Sequence, residues 1–303
     1  MTHPYGTDQY ANSLPHVGKP FAVPEWDSHV LIRHVAGGRQ DAVGPYPVTS
    51  IAPKADIEAG LARLAAANLV SVVLVVDDTQ RPSESGLSAF DFAKPFKTHY
   101  IHDRSLKPFS FGKHHRYKIK RARGQVETRE IALFDYLDDW QRLYKELQER
   151  HDLSGVHAFP ETHFRLLAHL PGLRTFAAFV DDELVSAHLF VAHGSHAISH
   201  LVASNALGYK LGAAYAVNDA ALDGLQGCSV INFGGGAGSE DDPAGGLARF
   251  KSGFSNRTAQ SLLCGKVLDR PIYEELSAGA TSSDFFPIYR SLRGTDNGVP
   301  VTK

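Results

Sequence analysis

Cysteine is scarce in this chain of 303 residues, which holds only Cys228 and Cys264. Two thiols are too few for a disulfide framework and lack metal-ligand spacing, so a reducing compartment is expected. An excess of charge of one sign is also missing: 31 Lys and Arg face 33 Asp and Glu, for a net −2. Nothing global then draws the protein to nucleic acid or an anionic membrane, and any polyanion contact must come from a local patch. No apolar run approaches the roughly 20 residues that span a bilayer. The N-terminal MTHPYGTDQY carries no basic stretch followed by an apolar core. The expectation is a cytoplasmic protein without a membrane segment. Catalytic signatures are thin as well, because there is no G-x-S-x-G and no Lys-Ser or Lys-Thr after the glycines of a phosphate loop.

What is present is the 43% apolar and 10% aromatic content of a packed globular chain, long enough for two ordinary domains or one large one. Residues 1–29 show no clear period and read as an irregular lead-in. Val30 to Val35 reads as a strand, Asp41 to Pro47 (DAVGPYP) as a turn-rich loop, and Ala55 to Ala67 as a helix. Leu69 to Val76 (LVSVVLVV) is a central strand covered on both faces, with a further strand over Phe96 to His102. Phe134 to Glu149 and Pro160 to Leu170 are helical, and from Thr175 three strands form an antiparallel meander turning at Asp181-Asp182 and Gly194-Ser195. Tyr209 to Leu225 is a helix, Ser229 to Phe233 a strand, Leu247 to Phe254 a helix and Ser261 to Val267 a strand. No repeat shows in the residues. The pattern is mixed α/β (α+β): a lobe over residues 1–110 and a second over 111–303 that begins with a basic connector.

Three stretches carry candidate chemistry. In Val230 to Phe254 an apolar strand end runs into Gly234, Gly235 and Gly236, which let the backbone turn sharply or approach something closely, and then into the acidic Glu240, Asp241 and Asp242. Those acids can bind a cationic amine or simply be solvated. The following helix places Lys251 beside the apolar stripe of Leu247, Phe250 and Phe254, either snorkelling to water or aimed into a pocket. Periodicity alone favours water. In Lys113 to Arg123 six fixed positive charges fall in eleven residues, and a helix there aligns Arg116, Lys120 and Arg123 in a row suited to phosphates, or equally makes a solvated face. At Gly208 to Ala213, Gly212 and Ala213 keep a helix N-terminus clear for a phosphate or carbonyl oxygen. The sixteen histidines offer no metal site, since only His193 and His196 face each other across the hairpin, and zinc needs further ligands. His200 should stand opposite Leu189, and His188 on the other sheet face.

The order of meander, L-G-A helix, N-F-G-G-G strand end, F-K-x-G-F helix and a later strand with G-K resembles the FemAB-like branch of the GNAT acyltransferases. The K-H-H-R-Y-K-I-K-R-A segment looks like that family's basic connector, and D-A-V-G-P-Y-P like a loop of its first lobe. The resemblance implies two GNAT-like lobes, each a mixed, largely antiparallel sheet with crossing helices. It implies an aminoacyltransferase that forms an amide from aminoacyl-tRNA and an amine acceptor, a peptide precursor or small metabolite, without a resident cofactor. The family's aromatic-lysine pair matches Phe250 and Lys251, turning Lys251 toward a pocket. On this reading Arg116, Lys120, Arg123, Gly212 and Ala213 bind the donor, while Gly234, Gly235, Gly236 and Asp241 form a substrate loop. The chain lacks a long coiled-coil insertion and has Tyr209 where acyl-CoA enzymes of this fold carry Gln or Arg. An acyl-CoA-dependent N-acyltransferase and a non-catalytic binding module of the same fold are the alternatives.

Overall fold

In the computed structural model, described for residues 2–106, 108–153, 155–236, 245–280, 285–293 and 299–300, one sheet of eleven strands carries helices on both faces. The lead-in is more regular than its composition suggests: α1 (Asp8–Asn12), capped by the Thr7 side chain, precedes β1 (Lys19–Val23), which pairs antiparallel with β2 (Ser28–His34). Tyr5, Tyr10 and Leu14 are at most 1% exposed, so burial of large side chains orders a segment with no periodicity of its own. The DAVGPYP stretch also differs from expectation, because its start is β3 (Gln40–Val43). Asp41 is fully buried there, its carboxylate taking Arg33 Nε at 3.0 Å, Arg290 Nε at 2.7 Å and the Tyr289 hydroxyl at 3.0 Å. Two guanidiniums make tolerable in a strand a residue that otherwise prefers turns.

Next come α2 (Ile57–Ala66), capped by Asp56, then β4 (Leu69–Val76), α3 (Glu84–Leu87) and β5 (Phe92–Asp103). The basic stretch forms α4 (Lys113–Arg123), with His115, Ile119 and Ala122 buried. It is followed by β6 (Glu127–Ile131), α5 (Leu137–His151), α6 (Glu161–Leu167), β7 (Leu173–Val180), β8 (Glu183–His193) and β9 (His196–Ser204). Asp181 and Asp182 adopt φ of 48° and 62°, the left-handed pair that a two-residue hairpin turn requires. Alternate residues of β7 point opposite ways: Phe176 and Ala178 pack in one core with Val217 and Phe254, Ala177 and Phe179 in another with Trp140 and Phe164. That second core also holds Tyr10, Leu31, Val73 and Leu263, so both halves of the chain share it.

The helix expected over Tyr209 to Leu225 is two helices, α7 (Ala206–Leu211) and α8 (Ala213–Gly224), parted by Gly212 at φ 70°. Then follow β10 (Val230–Asn232), α9 (Gly246–Ser252), β11 (Arg257–Val267), α10 (Arg270–Ser277) and a small ribbon of β12 (Phe285–Phe286) with β13 (Val299–Pro300). The sheet order is β1-β2-β3-β4-β11-β5-β10-β9-β8-β7-β6, with β11 antiparallel to both β4 and β5. Only β3–β4 and β9–β10 run parallel among the pairs of this sheet, each bridged by helix, so one βαβ arrangement occurs twice. Among the described residues no helix is long and apolar enough to cross a membrane.

Candidate active site

The second βαβ unit opens at its C-terminal end, where α/β sheets place ligands. β10 pairs with β9 through Val230↔His196, Ile231↔Ala197 and Asn232↔Ile198, and then stops while β9 continues to Ser204. Past Asn232 the chain leans on β5 instead: Phe233 N donates to Tyr100 O at 2.9 Å and Tyr100 N to Gly234 O at 3.2 Å. Gly234 sits at φ 73°, and a Cβ on Gly235 would come within 3.0 Å of Thr98 O. Both uses expected of these glycines, a sharp turn and a close approach, are therefore present. Gly236 ends the described part of this loop, and Asp241 with its acidic neighbours lies outside the described residues.

Lys251 reaches this turn from α9. Its side chain is part-buried, and Nζ donates to Gly235 O at 2.6 Å. Burial, with Lys97 nearby, pulls its pKa down from the usual lysine range to about 8. The lysine points into the site, not out to water. Phe250 turns another way, its ring edge-on to Tyr215 at 4.9 Å and near Phe254 at 5.2 Å, while its carbonyl faces His115 Nε2 at 3.0 Å. His115 lies over Gly253, where any Cβ would overlap its ring. An aromatic knot thus pins α4, α8 and α9 together and sets the direction from which Lys251 enters.

Beside that knot lie the residues expected to bind the donor. Gly212 and Ala213 stand one turn before Tyr215, at the start of α8, where no side chain caps the helix. Arg116 and Lys120 are exposed on α4, but Arg123 is tied to Asp219 and Asp223 of α8. The basic row is thus two open charges and one neutralised.

A polar cluster behind the glycine turn was not expected. Asp77 at the end of β4, His99 in β5 and Asn232 at the end of β10 are all buried: Asn232 Nδ2 lies 3.1 Å from Asp77 Oδ2 and 3.0 Å from His99 Nδ1, and Asn232 Oδ1 accepts from Gly234 N at 2.7 Å. The one available signal is that a polar residue ends one buried apolar strand, β10, and directly follows another, β4.

The histidines of the meander fall elsewhere. His193 does face His196, but a bulge pairs Leu189 with Leu201, not with His200. His200 packs near Tyr5, whose hydroxyl lies 3.1 Å from its Nδ1, and His188 sits across the sheet with Nδ1 2.7 Å from Asn218 Oδ1. Burial pushes the His188 pKa down to about 4, so its ring is neutral at neutral pH. Among the described residues no three His, Cys, Asp or Glu side chains are grouped to hold a metal ion.

Comparison with known proteins agrees with this architecture. Residues 113–252 match the family model of the GNAT acetyltransferase domain. No curated protein matches the sequence. Among solved structures, FemX superposes with a TM-score of 0.64 at 13% identity over 89% of this chain and 93% of its own. L-PGS from Bacillus licheniformis gives 0.57 at 13% over 88% and 94%. The C-terminal domain of a putative lysylphosphatidylglycerol synthetase from Agrobacterium fabrum gives 0.58 at 11% over 78% and 80%. At such identities the likeness is one of fold, extending over both halves of the chain. Residues 113–252 are therefore similar to a GNAT acetyltransferase domain, and the fold of the chain as a whole is like that of FemX and L-PGS.

Proposed function

We propose that the protein forms an amide by moving an aminoacyl group from aminoacyl-tRNA to an amine, with the donor on the lobe of residues 111–303 and the acceptor entering from the lobe of residues 1–110. The observation that carries this reading is the part-buried Lys251 ammonium at the open end of β9 and β10, held on the Gly235 carbonyl. The amine nitrogen attacks the ester carbonyl carbon. A C–N bond forms, negative charge grows on the carbonyl oxygen, the C–O bond to the ribose breaks, and the amine proton ends on the departing hydroxyl. An ester is already activated, so positioning and stabilisation of that oxygen suffice, without a protein nucleophile or resident cofactor. Lys251 supplies a fixed positive charge that is stronger for the charged transition state than for the bound carbonyl. Arg116 and Lys120 on α4 would meet donor phosphates, and the uncapped start of α8 at Gly212 and Ala213 suits a phosphate or carbonyl oxygen. Gly234 and Gly235, with Gly236 and Asp241 beyond, would border the substrate.

The GNAT acetyltransferase match supports a second reading, with acyl-CoA as donor, a thiol as leaving group and the same Lys251 chemistry. Thermal shift separates the two, since a ligand at 100 times its Kd stabilises by about 2.7 kcal/mol. Stabilisation by uncharged tRNA and none by coenzyme A is expected. The reverse result would replace the aminoacyl-tRNA reading by the acyl-CoA one.

A further inference from the structure

Both βαβ units open at one place. β4 ends at Val76, and Asp77 directly after it lies 3.1 Å from Asn232, the last residue of β10. The loop that follows β3 runs along the end of β4, with Gly44 N donating to Val73 O at 2.9 Å and Thr49 N to Val75 O at 2.6 Å. It carries Tyr46 to the gap between β9 and β10: the Tyr46 ring lies 5.9 Å from that of His200, two residues along β9 from Ile198, where the pairing with β10 stops. Edge-on to Tyr46 at 5.1 Å stands His157, whose backbone carbonyl accepts the Tyr144 hydroxyl at 2.8 Å. Tyr46 packs against the core of Trp140 and Phe164, whereas α9, which carries Lys251, packs with Val217 and Phe254 on the other face. The gap is thus bordered from both faces of the sheet.

We propose that His157 is the general base of the acyl transfer, taking the proton of the acceptor nitrogen on the face of the gap opposite α9. This rests on the acyl-transfer reading of Lys251. Among the described residues neither ring nitrogen of His157 meets a hydrogen-bond partner, and the residue is half-buried. His163 and His200 on the same face are 0% and 4% exposed, too enclosed to meet a substrate. Lys97 links the His157 ring to the reacting centre: a Cβ on Gly235 would lie 3.3 Å from Lys97 Cβ, Lys251 Nζ holds the Gly235 carbonyl at 2.6 Å, and the Lys97 charge acts on both His157 and Lys251. Burial first, and that charge second, hold the His157 pKa below the usual histidine value, so at neutral pH the ring is neutral and keeps a lone pair. Once the C–N bond forms, the nitrogen carries one proton too many. His157 takes it, and the imidazolium gives it to the departing oxygen, so the ring ends neutral. The separation suits the chemistry, because the nitrogen approaches the carbonyl carbon away from the oxygen that Lys251 stabilises.

The test measures turnover of bulk aminoacyl-tRNA by the full chain with methylamine as acceptor. His157→Phe keeps a ring against Tyr46 and removes both nitrogens, so the melting temperature should stay near that of the wild type while kcat falls by about 100-fold or more. In His157→Ala, free imidazole added to the assay should recover about tenfold or more of the loss, which a packing defect would not allow. A loss in both variants with no recovery by imidazole would remove the base role. A His157→Phe protein within about threefold of wild-type kcat, beside an inactive Lys251→Ala, would overturn the inference and leave the acyl-transfer reading intact. Wild-type turnover in Lys251→Ala would instead overturn that reading, and the inference with it.

Discussion

Replacing Lys251 by Met separates a lysine that acts on substrate from one that only ties down the glycine turn. Met keeps the aliphatic length and removes the ammonium. In the folded protein the change loses one charge-assisted hydrogen bond, Nζ to Gly235 O at 2.6 Å, a class that contributes about 1.5–3 kcal/mol net. Opposing this, burial disfavours the charged form enough to lower the pKa to about 8 with that bond in place. The two effects largely offset, so stability should change by about 1 kcal/mol or less, roughly 2 °C in a chain of this size. Catalysis has no such offset: removing one oxyanion donor costs about 3 kcal/mol, or 100-fold or more in kcat. The sign of the pH effect gives a second handle. Lys251 is charged below its folded pKa and neutral above it, so wild-type turnover should fall as pH rises through about 8, and Lys251→Arg should lose that decline because a guanidinium stays charged. Folding stability moves the other way, rising between about 8 and the ordinary lysine value of 10.5, because there the unfolded chain binds the extra proton. The assay is kcat against pH for the three proteins, beside melting curves. A Lys251→Met protein that melts several degrees lower yet keeps kcat within about threefold would refute the reasoning, since a tenfold loss needs only 1.4 kcal/mol.

Replacing Arg116 and Lys120 together by Ala should reduce the dependence of log K on log salt for tRNA by about 1.8, at roughly 0.9 per phosphate contact. Arg123→Ala should add little to that slope, because Arg123 is already paired with Asp219 and Asp223; filter binding between low and moderate salt decides. Asp41→Ala leaves the buried Arg33 and Arg290 charges uncompensated and should cost about 3–5 kcal/mol in urea unfolding, whereas a cost under 1 kcal/mol would mean the carboxylate is dispensable. Gly253→Ala drives a methyl group into the His115 ring and should destabilise by about 1–3 kcal/mol, loosening α4 from α9, which limited proteolysis within α4 would register.

Much of the frame is legible in the sequence because the signals are local. LVSVVLVV is rich in β-branched residues and apolar but for Ser71, and β4 occupies those same residues. Helical spacing puts Lys251 beside the apolar stripe, but spacing alone favours water and only the resemblance to FemAB-like proteins turns it inward. The cluster behind it could not be found that way: Asn232 is 133 residues from His99 and 155 from Asp77, and no period links positions on separate strands. Asp41 reads as part of a turn because aspartate near prolines signals one, while its partner Arg290 lies 249 residues away. Gly212 reads as continuous helix, since a single glycine fits a helical pattern until its φ is known. The His200 register failed on a bulge, which shifts pairing by one residue without a compositional mark.

The position of β11 bears on the order in which the molecule can be completed. In synthesis from the N-terminus, β4 and β5 emerge without the strand that fits between them, and Leu262 reaches its partner Val76 only after 185 further residues have been added. Until then two strand edges, one of them almost wholly apolar, are exposed to other chains. The first half therefore spends most of translation as an unfinished template, dependent on chaperones or on speed, and long-range pairing of this kind is slow. Ribosomes stalled before residue 257 should carry a chain that is protease-sensitive in both halves, and release of ten or so further residues should confer protection on β4 and β5 at once.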